Sequence, residues 1–221
     1  MIKIKNIIFT LFLLLFVLTP ATTVFSAGSS VSGKSIVIDA GHGGTDQGSM
    51  ECPGLTEAAA NLDIAERLQT LLEADGANVF LTRSDDSYLT NADRYNYANT
   101  TGGDVLVSIH LNGWYDHSLN YTQGLYAKYP KDYKFTEVVH NRLASELGID
   151  TRPLQQFSSG VILKSDMPAT LQETVFISNT EECVKLSDGT GDRQQEIAIA
   201  LYQGMIDWFD NPQEFVPGKR K

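Results

Sequence analysis

The stretch Ile36-Val37-Ile38-Asp39-Ala40-Gly41-His42-Gly43-Gly44 decides how this chain is read. Three consecutive β-branched apolar residues predict a short buried strand. Asp39 and His42 follow at its C-terminal end, and the glycines around them let the backbone turn tightly. In open α/β sheets, sites gather outside the carboxyl ends of strands. An acid and a histidine placed there either serve such a site or are solvated residues of a turn.

The pattern on either side places this strand in a larger unit. Thr56 is a candidate cap for a helix over Glu57–Ala74, with Leu62, Ala65, Leu68 and Leu72 on one face and Gly76 past its end. Asn78–Thr82 reads as a strand, Asn91–Asn99 as a second helix, and Asp104–His110 as a strand ending on another histidine. Gln123–Ala127 is a further strand. Phe135, Val138, Val139, Leu143 and Leu147 mark an amphipathic helix that stops at Gly148. Gly160–Lys164 and Leu171–Ile177 are expected to be strands. A last helix starts at Asp192 and aligns Ile197, Leu201, Met205 and Trp208. Strands alternating with helices predict a single α/β domain, here over residues 36–210.

Residues 1–27 have the form of a secretory signal. Lys3 and Lys5 precede the apolar run Ile7–Leu18, Pro20 ends it, and Ser26 and Ala27 offer a cleavage site. The competing reading is an uncleaved anchor, the one route by which a membrane would be involved. Residues 28–35 are expected to be a flexible leader and 211–221 a disordered tail. About 190 residues remain after the signal, enough for one sizeable core. The net charge is −10 at pH 7, and the leading segment contributes two lysines and no acid. The rest of the chain is therefore more acidic still, which argues against nucleic acid as a partner. Cys52 and Cys183 can form a disulfide in an oxidising compartment, remain free thiols, or bind zinc.

Glu173 is an anomaly in its strand. With a period of two it shares a face with Leu171, Val175 and Ile177, and a carboxylate in such a row is costly unless paired, protonated or used. Burial would raise its pKa toward the range of a general acid/base. Of the four histidines, His42 and His110 both end predicted parallel strands. His117 lies in a loop and His140 on the polar side of its helix. Two histidines and a carboxylate form a usual ligand set for catalytic zinc. Glu57 is a candidate third ligand at the same sheet edge, or an ordinary first-turn acid favoured by the helix dipole.

At this point the residues carry a family resemblance. Asp39-Ala40-Gly41-His42-Gly43-Gly44, Glu57 with Asn61-Leu62, Leu81-Thr82-Arg83, and Arg94 with Ala98-Asn99 occur in order. Ser108-Ile109-His110-Leu111-Asn112, Pro168-Ala169 and Glu173 with Phe176-Ile177-Ser178-Asn179 come after them. The chain resembles the zinc-dependent N-acetylmuramoyl-L-alanine amidases of the type 3 amidase family from Ile36 to about Phe209. The resemblance implies a twisted, mixed, mostly parallel sheet of about six strands flanked by helices. It implies one zinc ion with a bound water, held by His42, Glu57 and His110, and Glu173 as the catalytic carboxylate. It also implies hydrolysis of the amide between the lactyl group of N-acetylmuramic acid and L-alanine, with peptidoglycan as partner and an extracytoplasmic, secreted or wall-associated location. Two alternatives share the fold: an inactive peptidoglycan-binding protein, and a zinc peptidase cutting within the stem peptide. The sequence identifies no activating partner.

Ala58 stands where the family often has Lys, and Val175 where it usually has Gly, a change that bears on the space beside Glu173. Asp39 is expected to orient His42 from behind. Asn112, Trp114 and Tyr115 follow His110 on the site side and can contact substrate or pack under their loop. Arg83 and Arg94 are expected to hold structural ion pairs, and Tyr88, Tyr95 and Tyr97 to pack against a helix.

Overall fold

The structure is a computed structural model that describes residues 29–211. The expected signal and nearly all of the expected tail lie outside the described residues. The elements follow in the order β1 (Ser35–Ala40), α1 (Glu57–Ala74), β2 (Asn78–Leu81), α2 (Asn91–Thr100), β3 (Val105–Asn112) and β4 (Gln123–Tyr126). They continue with α3 (Lys131–Leu147), β5 (Gln155–Gln156), α4 (Gly160–Lys164), β6 (Ala169–Phe176), α5 (Thr180–Ser187) and α6 (Asp192–Asp210). The strands form one sheet in the order β2-β1-β3-β6-β4-β5. β2, β1, β3 and β6 are mutually parallel, and β4 runs antiparallel to β6. The sheet is therefore mixed and mostly parallel.

Alternation along the strands splits the apolar residues between two layers. Ile36, Ile38, Val105, Val107 and Ile109 pack with Leu68 and Leu72 of α1, Phe135 and Val139 of α3, and Leu201 of α6. Val37, Leu106, Ala169 and Leu171 face the other way, onto Ala98 of α2 and Val161 and Ile162 of α4. Each fully buried Leu or Ile side chain contributes about 2 kcal/mol of transfer free energy. Covering on both faces explains the unbroken apolar runs that identify these strands.

Several boundaries follow local chemistry. The Thr56 side chain accepts from the Ala59 N–H and caps α1, and Gly148 adopts a left-handed conformation (φ 61°) at the end of α3. Other expectations need correction. Gly160–Lys164 is a helical turn, not a strand: its apolar residues cover the sheet instead of joining it. Ser29–Lys34 is not a loose leader. It turns back, the Gly33 N–H bonds the Gly76 carbonyl at 2.8 Å, and Val31 is buried in the core. His140 is buried too, with Nδ1 3.3 Å from Gln172 Oε1 of β6.

The largest correction concerns β6. His110 pairs with Glu173, but Asn112 pairs with Phe176, so three residues of β6 oppose two of β3. This irregularity reverses the facing of the residues beyond it. Leu171 lies in the α2/α4 layer, whereas Val175 and Ile177 lie in the α1/α3/α6 core. Glu173 therefore does not continue an apolar row through Ile177; it ends one.

Candidate functional site

Three parallel neighbours, β1, β3 and β6, bring their C-terminal ends together. His42 lies just past β1, His110 near the end of β3, and Glu173 opposite His110 on β6. Glu57 is the first residue of α1, where the helix dipole favours a negative charge. Its Oε1 lies 3.2 Å from His42 Nε2 and 3.1 Å from His110 Nδ1. One donor atom from each of these three residues falls within a 4.8 Å cluster. Two imidazole nitrogens and a carboxylate oxygen are a donor set suited to zinc, with a fourth position left for water. These three residues could hold one metal ion.

The backbone is shaped to let them meet. His42 itself has φ 60°, a left-handed conformation that a non-glycine residue adopts at a cost of about 1–2 kcal/mol. A Cβ on Gly41 would lie 2.4 Å from the His110 ring. One on Gly48 (φ +62°) would lie 2.5 Å from Glu57 Oε2 and 2.7 Å from His42 Cδ2. Glycine is thus required at both positions by close approach of the His110, Glu57 and His42 side chains.

Glu57 is held at both oxygens. The Leu111 N–H donates to Oε1 at 3.1 Å and the Ser49 N–H to Oε2 at 2.9 Å. Burial alone would raise its pKa, but the hydrogen bonds and charges of His110 and His42 outweigh it and hold the carboxyl well below the usual range. Burial would lower the pKa of His42. Glu57 and then Asp46 reverse that and raise it to about 9. The His110 pKa is also raised, burial again opposing and Glu57 and Glu173 prevailing. Burial pushes Glu173 up to about 7, with the histidines drawing it down and Glu57 adding to the rise.

Asp39 does not touch the His42 ring. It accepts from Arg94 Nη1 at 2.9 Å, Ser108 Oγ at 2.6 Å and Thr82 Oγ1 at 2.7 Å. Asp46 Oδ1 takes the ring contact instead, 2.9 Å from His42 Nδ1. Asp46 is not among the residues the sequence singles out; its spacing of four from His42 in a glycine-bracketed turn is the one signal it carries. Arg94 forms the expected ion pair. Arg83 does not: its guanidinium donates to the carbonyls of Ala40, Gly41, Ala58 and Asp85 and fastens the turn after β1 to the start of α1.

A cleft of about 440 Å³ opens beside these residues, with His42, His110 and Glu173 in its wall. Tyr88 lines it from the loop before α2, Asn91 from the first residue of α2, and Phe157 and Ser159 from the segment before α4. Tyr88 is thus a cleft residue, 53% exposed, and not helix packing. Asn112, Trp114 and Tyr115 are not among the cleft residues. Trp114 and Tyr115 are exposed, with ring centroids 4.7 Å apart, and the Trp114 N–H donates to Ser178 Oγ. The Asn112 side chain accepts from the Gly113 N–H. Of the three fates open to the cysteines the structure has the disulfide, with Cα atoms 5.4 Å apart.

The profile of the Amidase_3 family, described as N-acetylmuramoyl-L-alanine amidase, matches residues 36–207. N-acetylmuramoyl-L-alanine amidase LytC of Bacillus subtilis is 33% identical over 197 residues, which are 86% of this chain and 39% of that protein. Among solved structures, the catalytic domain of CwlV, an N-acetylmuramoyl-L-alanine amidase from Bacillus (Paenibacillus) polymyxa var. colistinus, superposes with a TM-score of 0.75. It is 32% identical, and the match covers 80% of this chain and 98% of that one. The amidase AmiC2 of Nostoc punctiforme gives a TM-score of 0.75 at 30% identity, covering 81% and 99%.

Proposed function

The chain belongs to the N-acetylmuramoyl-L-alanine amidase family and is an amidase of peptidoglycan, and on that premise we propose that it is a zinc hydrolase cutting between the lactyl group of N-acetylmuramic acid and L-alanine. The observation that carries this reading is the convergence of His42 Nε2, Glu57 Oε1 and His110 Nδ1 at a cleft whose wall also holds Glu173. His42, Glu57 and His110 would hold the ion. When bound, zinc supplies Lewis acidity, polarising the scissile carbonyl and lowering the pKa of water toward about 7.

The remaining work falls to residues of the chain. Glu173 takes a proton from the attacking water on its carboxylate oxygen and delivers it to the leaving nitrogen. A pKa pushed up to about 7 suits both steps, since the group is then neither too weak a base nor too weak an acid near neutrality. No serine nucleophile is needed: Ser108 Oγ is committed to Asp39, and Ser178 Oγ accepts from the Trp114 N–H. Asp46 holds His42 through Nδ1, which leaves Nε2, on the Glu57 side, as the nitrogen that would hold the metal. Tyr88 and Phe157, in the wall of the same cleft, contact the substrate near the scissile amide. Asn112, Trp114 and Tyr115 meet the polymer outside the cleft. Action on the wall places the enzyme outside the cytoplasm, consistent with the signal read in residues 1–27.

Digestion of purified sacculi tests the reaction. Release of stem peptides with a free L-alanine amino terminus, leaving glycan with unsubstituted lactyl groups, is expected. Cuts within the peptide would instead indicate a zinc peptidase, and pelleting with sacculi without release an inactive binder. Glu173→Ala should retain zinc and lose activity by about 10²–10⁴-fold; full activity in that variant refutes the role given to Glu173.

A further inference from the structure

The loop between β1 and α1 does more than connect them. Its Ser49 N–H donates to Glu57 Oε2 at 2.9 Å, the Glu57 N–H donates back to the Ser49 carbonyl at 3.0 Å, and the Ala58 N–H bonds the Gln47 carbonyl at 3.2 Å. The loop thus sets the position of the Glu57 carboxylate. Just beyond Ser49 the loop makes a short turn, in which the Leu55 N–H bonds the Cys52 carbonyl at 3.1 Å. Met50, Glu51, Pro53 and Gly54 are exposed, and Cys52 is the buried side chain in that run, at 1%.

Cys52 is bonded to Cys183, 131 positions away, in the first turn of α5. α5 follows β6, the strand that carries Glu173, and is itself anchored. Its Asn179 cap accepts from Glu181 and Glu182, and Glu182 pairs with Arg193 of α6 at 2.7 Å. A weaker link runs alongside, where the Thr180 N–H donates to the His117 carbonyl and His117 Nε2 lies 3.4 Å from Glu51 Oε2. That second link is exposed and holds little by itself.

We infer that the Cys52–Cys183 disulfide is a positioning element for Glu57, fixing the loop whose Ser49 N–H holds that carboxylate toward His42 and His110. The bridge ties the loop carrying one candidate ligand to the element following the catalytic strand. Without it, the turn at 50–54 loses its covalent tie to α5 and shifts as a unit, the Ser49 N–H moves with it, and Glu57 loses the bond that sets its orientation. An oxidising location outside the cytoplasm keeps the bridge formed. This inference rests on Glu57 being a metal ligand.

The test compares the oxidised protein with a Cys52→Ser/Cys183→Ser double variant. Zinc dissociation constants are measured by chelator competition at neutral pH, with circular dichroism and thermal unfolding of the metal-free forms alongside. The variant is expected to keep its secondary structure and to bind zinc at least tenfold more weakly. Its kcat should recover as free zinc is raised, with KM for soluble substrate unchanged. A lower unfolding temperature with an unchanged zinc constant makes the bridge merely structural and overturns the inference. Should the double variant not fold, Ser49→Pro keeps the bridge but removes the donor N–H, and must weaken zinc binding comparably; an unchanged constant there also overturns it. If the wild-type protein itself binds no zinc, the ligand assignment fails as well, a result distinct from failure of the bridge alone.

Discussion

Arg94 links Asp39 to His42: its Nη1 lies 2.9 Å from Asp39 Oδ1, and its Nη2 donates to the His42 carbonyl at 2.8 Å. Both ends of this pair are buried, Asp39 at 1% and Arg94 at 5% exposed. Burial would raise the Asp39 pKa, but Arg94, Ser108 and Thr82 together bring it below its ordinary value. The pair therefore keeps a charged anchor directly behind a residue whose backbone sits at φ 60°.

Removing one partner leaves the other charge buried and unmatched. Asp39→Asn or Arg94→Met should each cost about 3–5 kcal/mol in urea unfolding of the metal-free protein. The double variant should cost less than the two single losses together, since neither charge is then stranded. Additive losses would mean that Asp39 and Arg94 act independently, contrary to their geometry.

The outline of this site is legible because each part has a local signature. The strand before His42 shows in three β-branched residues, α1 in its Thr56 cap and leucine spacing, and the end of β3 in an apolar run that stops on His110. The features that stay hidden depend on pairing across the sheet. Val175 has the period of a residue on the Glu173 face, and only the two-against-three register with β3 reveals that it is turned into the other core. Val161 and Ile162 read as part of a strand because an apolar run this short has no period that would separate it from a short helical cover. Phe157, in a polar stretch, becomes a cleft residue only through the chain path that brings it to the cleft that Tyr88 also lines. His140 reads as a polar-face residue because the Gln172 facing it belongs to another element.

The aromatic side chains around the site fall into two groups. Tyr88 and Phe157 line the cleft with His42 and Glu173, whereas Trp114 and Tyr115 lie exposed outside it. With a soluble muramoyl peptide, Tyr88→Ala and Phe157→Ala should each raise KM about tenfold, the scale of one lost aromatic contact, with zinc content unchanged. Trp114→Ala and Tyr115→Ala should leave that substrate's kinetics alone and slow only the digestion of intact sacculi. A larger loss from Trp114→Ala on the soluble substrate would move the binding site for the scissile region onto the loop after β3.

Metal affinity should depend on pH in a direction set by His42. In the metal-free protein its pKa is raised from 6.5 to about 9: burial opposes the charge, but Glu57 and Asp46 prevail. The folded-state value being the higher one, the charged ring favours the metal-free fold fully below pH 6.5, and that contribution is lost as pH rises through about 9. Glu57 runs the other way. Its pKa is depressed, so its carboxylate is ionised throughout this window and contributes no titration to it. A ligand nitrogen must be deprotonated to bind, so below about pH 9 the ion competes with a proton on His42. His110, also raised, competes in the same sense. The zinc dissociation constant should fall by at least about tenfold per pH unit between about pH 6.5 and 8.5, one decade for each proton displaced, and level off above about 9. Zinc should accordingly raise the unfolding temperature more at the upper end of that range than at the lower. Replacing Asp46 with Asn removes one of the two groups holding the proton on the ring, and should move the levelling point to lower pH while zinc still binds. An affinity flat across this range would show that neither histidine carries a proton that zinc must displace.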